Sequence, residues 1–121
     1  MESKKVGWEG SKLHYMVATD GSEAAHLAFQ AVSDSFFHPS DKLTVVHLYN
    51  INKPDVPFDM KPPALRQKYE QLTLLMGSHA ALMWEQVHEG KTVKQQIVDI
   101  AVNDHAGVLV VGLHGRKGPK E

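Results

Sequence analysis

Two short polar clusters stand directly after apolar runs, and they carry the chemistry this sequence could do. Thr19-Asp20 follows LHYMVA, residues Leu13 to Ala18, and Gly112-Leu-His-Gly115-Arg116 follows VLVV, residues Val108 to Val111. A carboxylate at a strand end can accept hydrogen bonds from a ligand. Gly112 and Gly115 would let the backbone approach a phosphate, with free N–H groups facing the anion. His114 and Arg116 stand beside those glycines, where they could touch the same phosphate. The competing readings are plain ones: Asp20 as a turn former, and Gly112 and Gly115 as loop glycines that need positive φ.

Other patterns lead nowhere comparable. The eight histidines form no H-x-x-x-H or H-E-x-x-H pair, so no metal site is expected. His47 lies inside an apolar run and reads as a hydrogen-bonded core residue. Gly90-Lys91-Thr92 mimics the tail of a phosphate loop but lacks its preceding glycine. With no cysteine, a thiol nucleophile, a thiolate metal site and disulfides are all excluded. No Ser/His/Asp set or paired carboxylates can be assigned, so no catalytic residue is named.

Positioning those clusters requires strands that end at them. Leu13 to Ala18 reads as a first strand, and Ser22 as the cap of a following helix with Ala24, Leu27, Ala28, Ala31 and Val32 at helical spacing. That helix should end near Phe36 to Pro39. Leu43 to Tyr49, LTVVHLY, reads as a buried strand. Residues 50–63 contain four prolines and read as a loop. A second helix should begin at Ala64, with Leu65, Tyr69, Leu72 and Met76 on one face, and end at Gly77-Ser78. Residues 80–89 are ambiguous, with strand preferred over the second half. Thr92 should cap a third helix presenting Val93, Ile97, Ile100 and Ala101, and Val108 to Val111 is the last strand. Alternating strands and helices with apolar strands predict an α/β fold: a parallel sheet covered by helices on both faces.

The chain has 121 residues, 42% hydrophobic and 22% charged, with formal net charge -1. One domain over residues 13–121 is expected, preceded by an N-terminal extension over residues 1–12. The near-neutral charge gives no field to steer the chain onto nucleic acid or an anionic membrane. No secretory signal or membrane-spanning run is read, so a cytoplasmic protein is expected.

The runs VATDGSEAAHLAFQAV, VVHLYN and HEGKTVKQQIVDIAVNDHAGVLVVGLHGRKG together resemble the universal stress protein family. The resemblance spans Leu13 to Gly118, with Asn50 to Ala80 loosely matched. It implies a Rossmann-like five-stranded sheet of order 3-2-1-4-5, here 3-2-1-4 with the fifth strand missing. It also implies an adenine-nucleotide site for ATP or AMP, with Mg as a companion ion. Asp20 would face the adenine or ribose, with Ala18 and Thr19 lining its edge. Leu48 would contact the adenine, Val111 and Gly112 would border the ribose, and Gly115, His114 and Arg116 would lie toward the phosphates. ATP-binding members carry G-x2-G-x9-G-[S/T], whereas six residues follow Gly115 here. The pocket is therefore expected to lack its last phosphate anchor, and the fourth strand to be a sheet edge that favours a homodimer.

The resulting expectation is an adenine-nucleotide-binding regulator in stress response, acting through conformation or assembly with at most weak ATP hydrolysis. The alternative is a degenerate interaction or dimerisation module without nucleotide. An enzyme of related fold, such as a nucleotide-activating ligase, would need a glycine-rich phosphate loop after the first strand. Asp20-Gly21-Ser22-Glu23 is a poor one.

Overall fold

A strand that is apolar on both faces can lie only inside a covered sheet, and this dictates the centre of the fold. In the computed structural model, which describes residues 13–38, 40–50 and 57–112, β1 (His14–Ala18) is such a strand. Its residues Tyr15, Met16, Val17 and Ala18 are all buried. It pairs in parallel with β2 (Lys42–Tyr49) on one side and β4 (Val108–Val111) on the other. Strand β3 (Ala80–Gln86) pairs in parallel with the far side of β2. The order is β3-β2-β1-β4.

The helices take the sides that right-handed crossovers require for this order. Helices α1 (Glu23–Ala31) and α2 (Pro62–Leu72) supply Phe29, Leu65 and Tyr69 to a core with Tyr15, Val17, Leu43 and Val45. Helix α3 (Val93–Asn103) covers the opposite face, where Ala101 and Ile100 meet Met16 and Val46. Burying a side chain such as Phe29 or Leu65 is worth about 1.5–3 kcal/mol, so these contacts fix which stripe of each helix faces inward. Among the described residues, no helix is long and apolar enough to cross a membrane.

The four strands and three helices stand in the predicted order, with local corrections. Helix α1 buries Ala25 and Phe29, and Val32 just past its end is buried too, while Leu27 is 56% exposed. The expected stripe of Ala24, Leu27, Ala28, Ala31 and Val32 is thus rotated, because the bulky Phe29 packs against Tyr69 (5.1 Å, edge to face) and turns its own side inward. After α1 the chain continues as a π turn, Val32–Phe36. Helix α2 starts at Pro62, not Ala64. Proline suits the first helical turn, where no N–H acceptor exists to be missed. It ends at Leu72, and a 3-10 stretch Leu74–His79, kinked at Gly77 (φ 57°), leads into β3. Strand β3 spans Ala80–Gln86, so it begins at the start of the ambiguous stretch and stops before Val87, where the expected second-half strand would have continued.

On α3 the predicted cap holds. Thr92 Oγ1 accepts from Gln95 N (3.1 Å), and Gln95 Oε1 accepts from Thr92 N (3.1 Å). The predicted inward face does not fully hold. Val93 is 46% exposed, and the most buried residue is Gln96. Its carboxamide accepts from His88 N (2.7 Å) and donates to the Gln86 carbonyl (3.1 Å), tying α3 to the end of β3. Asp41 is a second buried polar anchor. Its two carboxylate oxygens accept from Leu13 N (3.0 Å) and His38 N (2.9 Å), closing the entry to β1.

Candidate functional site

In an open parallel sheet, ligands bind beyond the carboxyl ends of the strands where winding reverses. Here the chain leaves β1 toward β2 and β3, then crosses back to β4 on the other side of β1. The switch point therefore lies between the ends of β1 and β4, where Ala18 is paired with Val111.

The turn leaving β1 is built by three polar side chains folded onto the backbone. Thr19 Oγ1 accepts from Gly21 N (3.1 Å), Asp20 Oδ1 from Ser22 N (2.8 Å), and Ser22 Oγ from Ala25 N (3.2 Å). The last bond caps α1, and the first intrahelical bond runs from His26 N to the Ser22 carbonyl (3.1 Å). The N–H groups of Glu23 and Ala24 therefore have no intrahelical acceptor. Gly21 has φ +88°, and Met60 side-chain atoms would lie 3.1–3.3 Å from an added Cβ. Both the conformation and the space there call for glycine.

Gly112 has a different reason to be glycine. Its φ is not in the left-handed region. A Cβ there would stand 2.5 Å from the Ala24 carbonyl oxygen and Ala25 Cα, and 2.6 Å from Ala25 N. The end of β4 thus lies directly against the first turn of α1. The expectation of a positive-φ loop glycine is corrected at this position, because the requirement is close packing of strand on helix.

The sheet's two faces divide the other predicted residues. Ala18, Val111 and Leu48 share the α3 side, since Val46 and Val111 flank Ala18 in register and Leu48 lies two residues past Val46. They form a short apolar shelf, with Val111 46% exposed and Leu48 half-buried against Met83. Strand β4 is less covered than its apolar sequence implied: Leu109 is also exposed on this side, because α3 lies across β2. Asp20 stands exposed at the edge of the shelf, and its second carboxylate oxygen has no partner among the described residues. Thr19 is buried, and its N–H is committed to the Val46 carbonyl (2.8 Å), so it can line a pocket without donating from its backbone. His114, Gly115 and Arg116 lie outside the described residues.

Beneath the turn, on the α1/α2 side, sits an aromatic group whose partners the sequence could not name. His47 is 5% exposed, and its Nδ1 bonds the Thr19 carbonyl (2.9 Å). A carbonyl only accepts, so Nδ1 carries the proton and Nε2 is the free acceptor. That Nε2 is buried and has no partner among the described residues. The ring packs on Trp84 (5.4 Å between centroids) and Tyr49 (6.1 Å). Burial lowers the His47 pKa below the ordinary 6.5, partly offset by the Thr19 bond and by Asp20. Tyr69, whose hydroxyl lies 3.4 Å from Thr19 Oγ1, is pushed up by the same burial. The sequence signal for His47 was a polar residue inside an otherwise apolar strand.

A separate hollow of about 520 Å³ opens at the ends of β2 and β3, walled by Tyr49, Trp84, Glu85 and Glu89. It is not at the switch point. Lys91 of the phosphate-loop mimic pairs with Asp99 (2.5 Å).

Residues 14–121 match the model of the universal stress protein family. A search of curated proteins gave no match. Among solved structures, the chain is similar to a protein from the universal stress protein family of Burkholderia pseudomallei. The identity is 20% and the TM-score 0.55, over 84% of this chain and 81% of that one. It is also similar to protein Rv1636 from Mycobacterium tuberculosis H37Rv, at 19% identity and TM-score 0.55, over 88% of this chain and 75% of that one. At this identity the two structures support the fold.

Proposed function

The chain belongs to the universal stress protein family, and from that premise we propose that it binds ATP or AMP at the β1–β4 switch point. On this reading it acts in stress response as a regulator, through conformation or assembly, in the cytoplasm. The observation that carries the proposal is the packing of Gly112 on the first turn of α1. It brings the end of β4, the Asp20 turn and the open donors of a helix N-terminus to one place, a setting suited to an anionic ligand.

The residues present fit a nucleoside. The shelf of Ala18, Leu48 and Val111 offers an apolar surface for a purine ring. The open carboxylate oxygen of Asp20 can accept from a ribose hydroxyl or an exocyclic amine, and a carboxylate so used discriminates between partners with and without the donor. Gly115, His114 and Arg116 are proposed to reach the phosphates, with Mg accompanying a triphosphate.

Thermal unfolding with excess ATP, AMP or GTP tests this reading. A ligand at a hundred times its Kd stabilises the fold by about 2.7 kcal/mol. The expected result is a rise with adenine nucleotides that Asp20→Ala reduces. No rise at millimolar nucleotide would overturn it.

A second reading, an assembly module without nucleotide, is favoured by one observation: Leu109 (37%) and Val111 (46%) are exposed on a strand that pairs only with β1 among the described residues. An apolar edge of this kind invites a second chain. Sedimentation over a wide concentration range should then show a homodimer, and a monomer throughout would remove this reading.

A further inference from the structure

We infer that His47 is a positioning residue for the β1 turn, and that acid loosens this turn through it, so that pH regulates the site proposed above. The regulatory step rests on the nucleotide reading; the effect on the turn does not.

The geometry gives His47 a single anchoring task. Its Nδ1–H holds the Thr19 carbonyl, and Thr19 begins the series of side-chain bonds that shapes Asp20, Gly21 and Ser22. Nε2 is buried, so the neutral ring leaves one acceptor without a partner among the described residues. Protonation would turn that acceptor into a donor and put a positive charge in the same place. The groups around it offer little compensation. Helix α2 brings Tyr69 to Thr19 Oγ1 (3.4 Å) and to the Trp84 ring, with Lys68 Nζ above the Tyr69 ring (5.9 Å). From β3 comes Trp84, with the Arg66 guanidinium above its ring (5.7 Å). From β2 itself comes Tyr49. From the end of β1 come the Thr19 carbonyl, whose bond to Nδ1–H favours the imidazolium, and Asp20, whose negative charge does so less, its carboxylate being exposed to water and bonded to Ser22 N. A buried charge with so little compensation relaxes by leaving its pocket. Leaving breaks the bond to Thr19.

The sign follows from burial. The folded state holds His47 with a pKa below 6.5, so between the folded and unfolded values the unfolded chain binds more protons. The stabilisation is complete above 6.5 and is lost as pH falls toward the folded value. His26 shifts in the same direction through burial and Lys68, so a global unfolding curve cannot separate the two residues. A local measurement can.

The experiment is a titration of the 15N-labelled chain without nucleotide, from about pH 8 to about pH 5. Ring-nitrogen correlations report the tautomer and titration of each histidine, and amide exchange reports protection at Gly21 and Ser22. Three proteins are compared: wild type, His26→Asn and His47→Asn. The carboxamide introduced by His47→Asn can donate where Nδ1 did, and it does not titrate. The expected result is the Nδ1–H tautomer at His47. Protection at Gly21 and Ser22 should fall about tenfold, the scale of one lost hydrogen bond, in step with His47 titration. His26→Asn should behave as wild type, and His47→Asn should keep its protection.

An Nε2–H tautomer at neutral pH would overturn the inference. So would equal loss of protection in His47→Asn, or protection that stays level while His47 titrates. Should His47→Asn fail to fold, the wild-type comparison still decides: the two midpoints must coincide. ATP affinity at both ends of the range then tests the regulatory step, and equal affinity throughout would refute it. Absence of any nucleotide binding at pH 8 would sink the nucleotide reading and the regulatory step with it. The turn would then be judged on protection alone.

Discussion

Substituting Gly112 by alanine tests the contact on which the site depends. The new methyl would sit 2.5 Å from the Ala24 carbonyl oxygen and from Ala25 Cα, where ordinary contact begins at 3.4 Å. Helix α1 or the end of β4 would have to retreat by the difference, 3.4 − 2.5 = 0.9 Å. These are backbone atoms, so no rotamer change relieves the clash. Overpacking in a well-filled interior costs about 1–3 kcal/mol, and a clash with backbone on both sides belongs at the upper end, about 2–3 kcal/mol. In a domain of this size each kcal/mol lowers Tm by about 4 °C, so a fall of about 8–12 °C is expected. Gly107→Ala supplies the control, because the nearest atom to its methyl is the His14 carbonyl oxygen at 4.0 Å. Thermal unfolding of both variants by circular dichroism is sufficient. If Gly112→Ala melts with Gly107→Ala, the first turn of α1 does not rest on β4, and the proposed site loses its frame.

Other substitutions probe the anchors around that frame. Gln96→Ala removes a buried carboxamide and leaves the His88 N–H and Gln86 carbonyl without their partner. A loss of about 2–3 kcal/mol is expected in urea unfolding, and Gln96→Glu should restore the acceptor but not the donor. Thr92→Ala breaks the capping box of α3 and should cost about 1 kcal/mol, with Thr92→Ser recovering most of it. Asp41→Asn keeps one acceptor but turns an amide donor toward either Leu13 N or His38 N. It should lose about 1–3 kcal/mol, with faster amide exchange at Leu13 or His38 as the local sign.

Much of this protein was legible along the chain because its signals are local. Strands β1 and β2 announce themselves as apolar runs that stop at polar turns. Ser22 and Thr92 are helix caps whose partners lie three residues away. The alternation of strand and helix sufficed for a parallel sheet, and the family resemblance implied β1 beside β4, with Ala18, Asp20, Val111 and Gly112 at one end of it. Their types and order carried the family resemblance.

What tertiary structure decided involves partners far apart in sequence. The stripe expected on α1 ran through Leu27 because the four alanines among its nine residues mark no face; Phe29 found Tyr69 forty residues away only in the folded core. Gly112 looked like a loop glycine, and the backbone of α1 made it a packing glycine. Nothing in the sequence marked Asp41 or Gln96 as buried, and His47 read as a hydrogen-bonded core residue whose partner could not be named. Each is buried because a particular backbone group waits for it, at Leu13, His88 and Thr19. Pattern and propensity report which face of an element avoids water. They carry no record of which distant donor or acceptor will be left without water, and that pairing is settled when the sheet and helices close on one another.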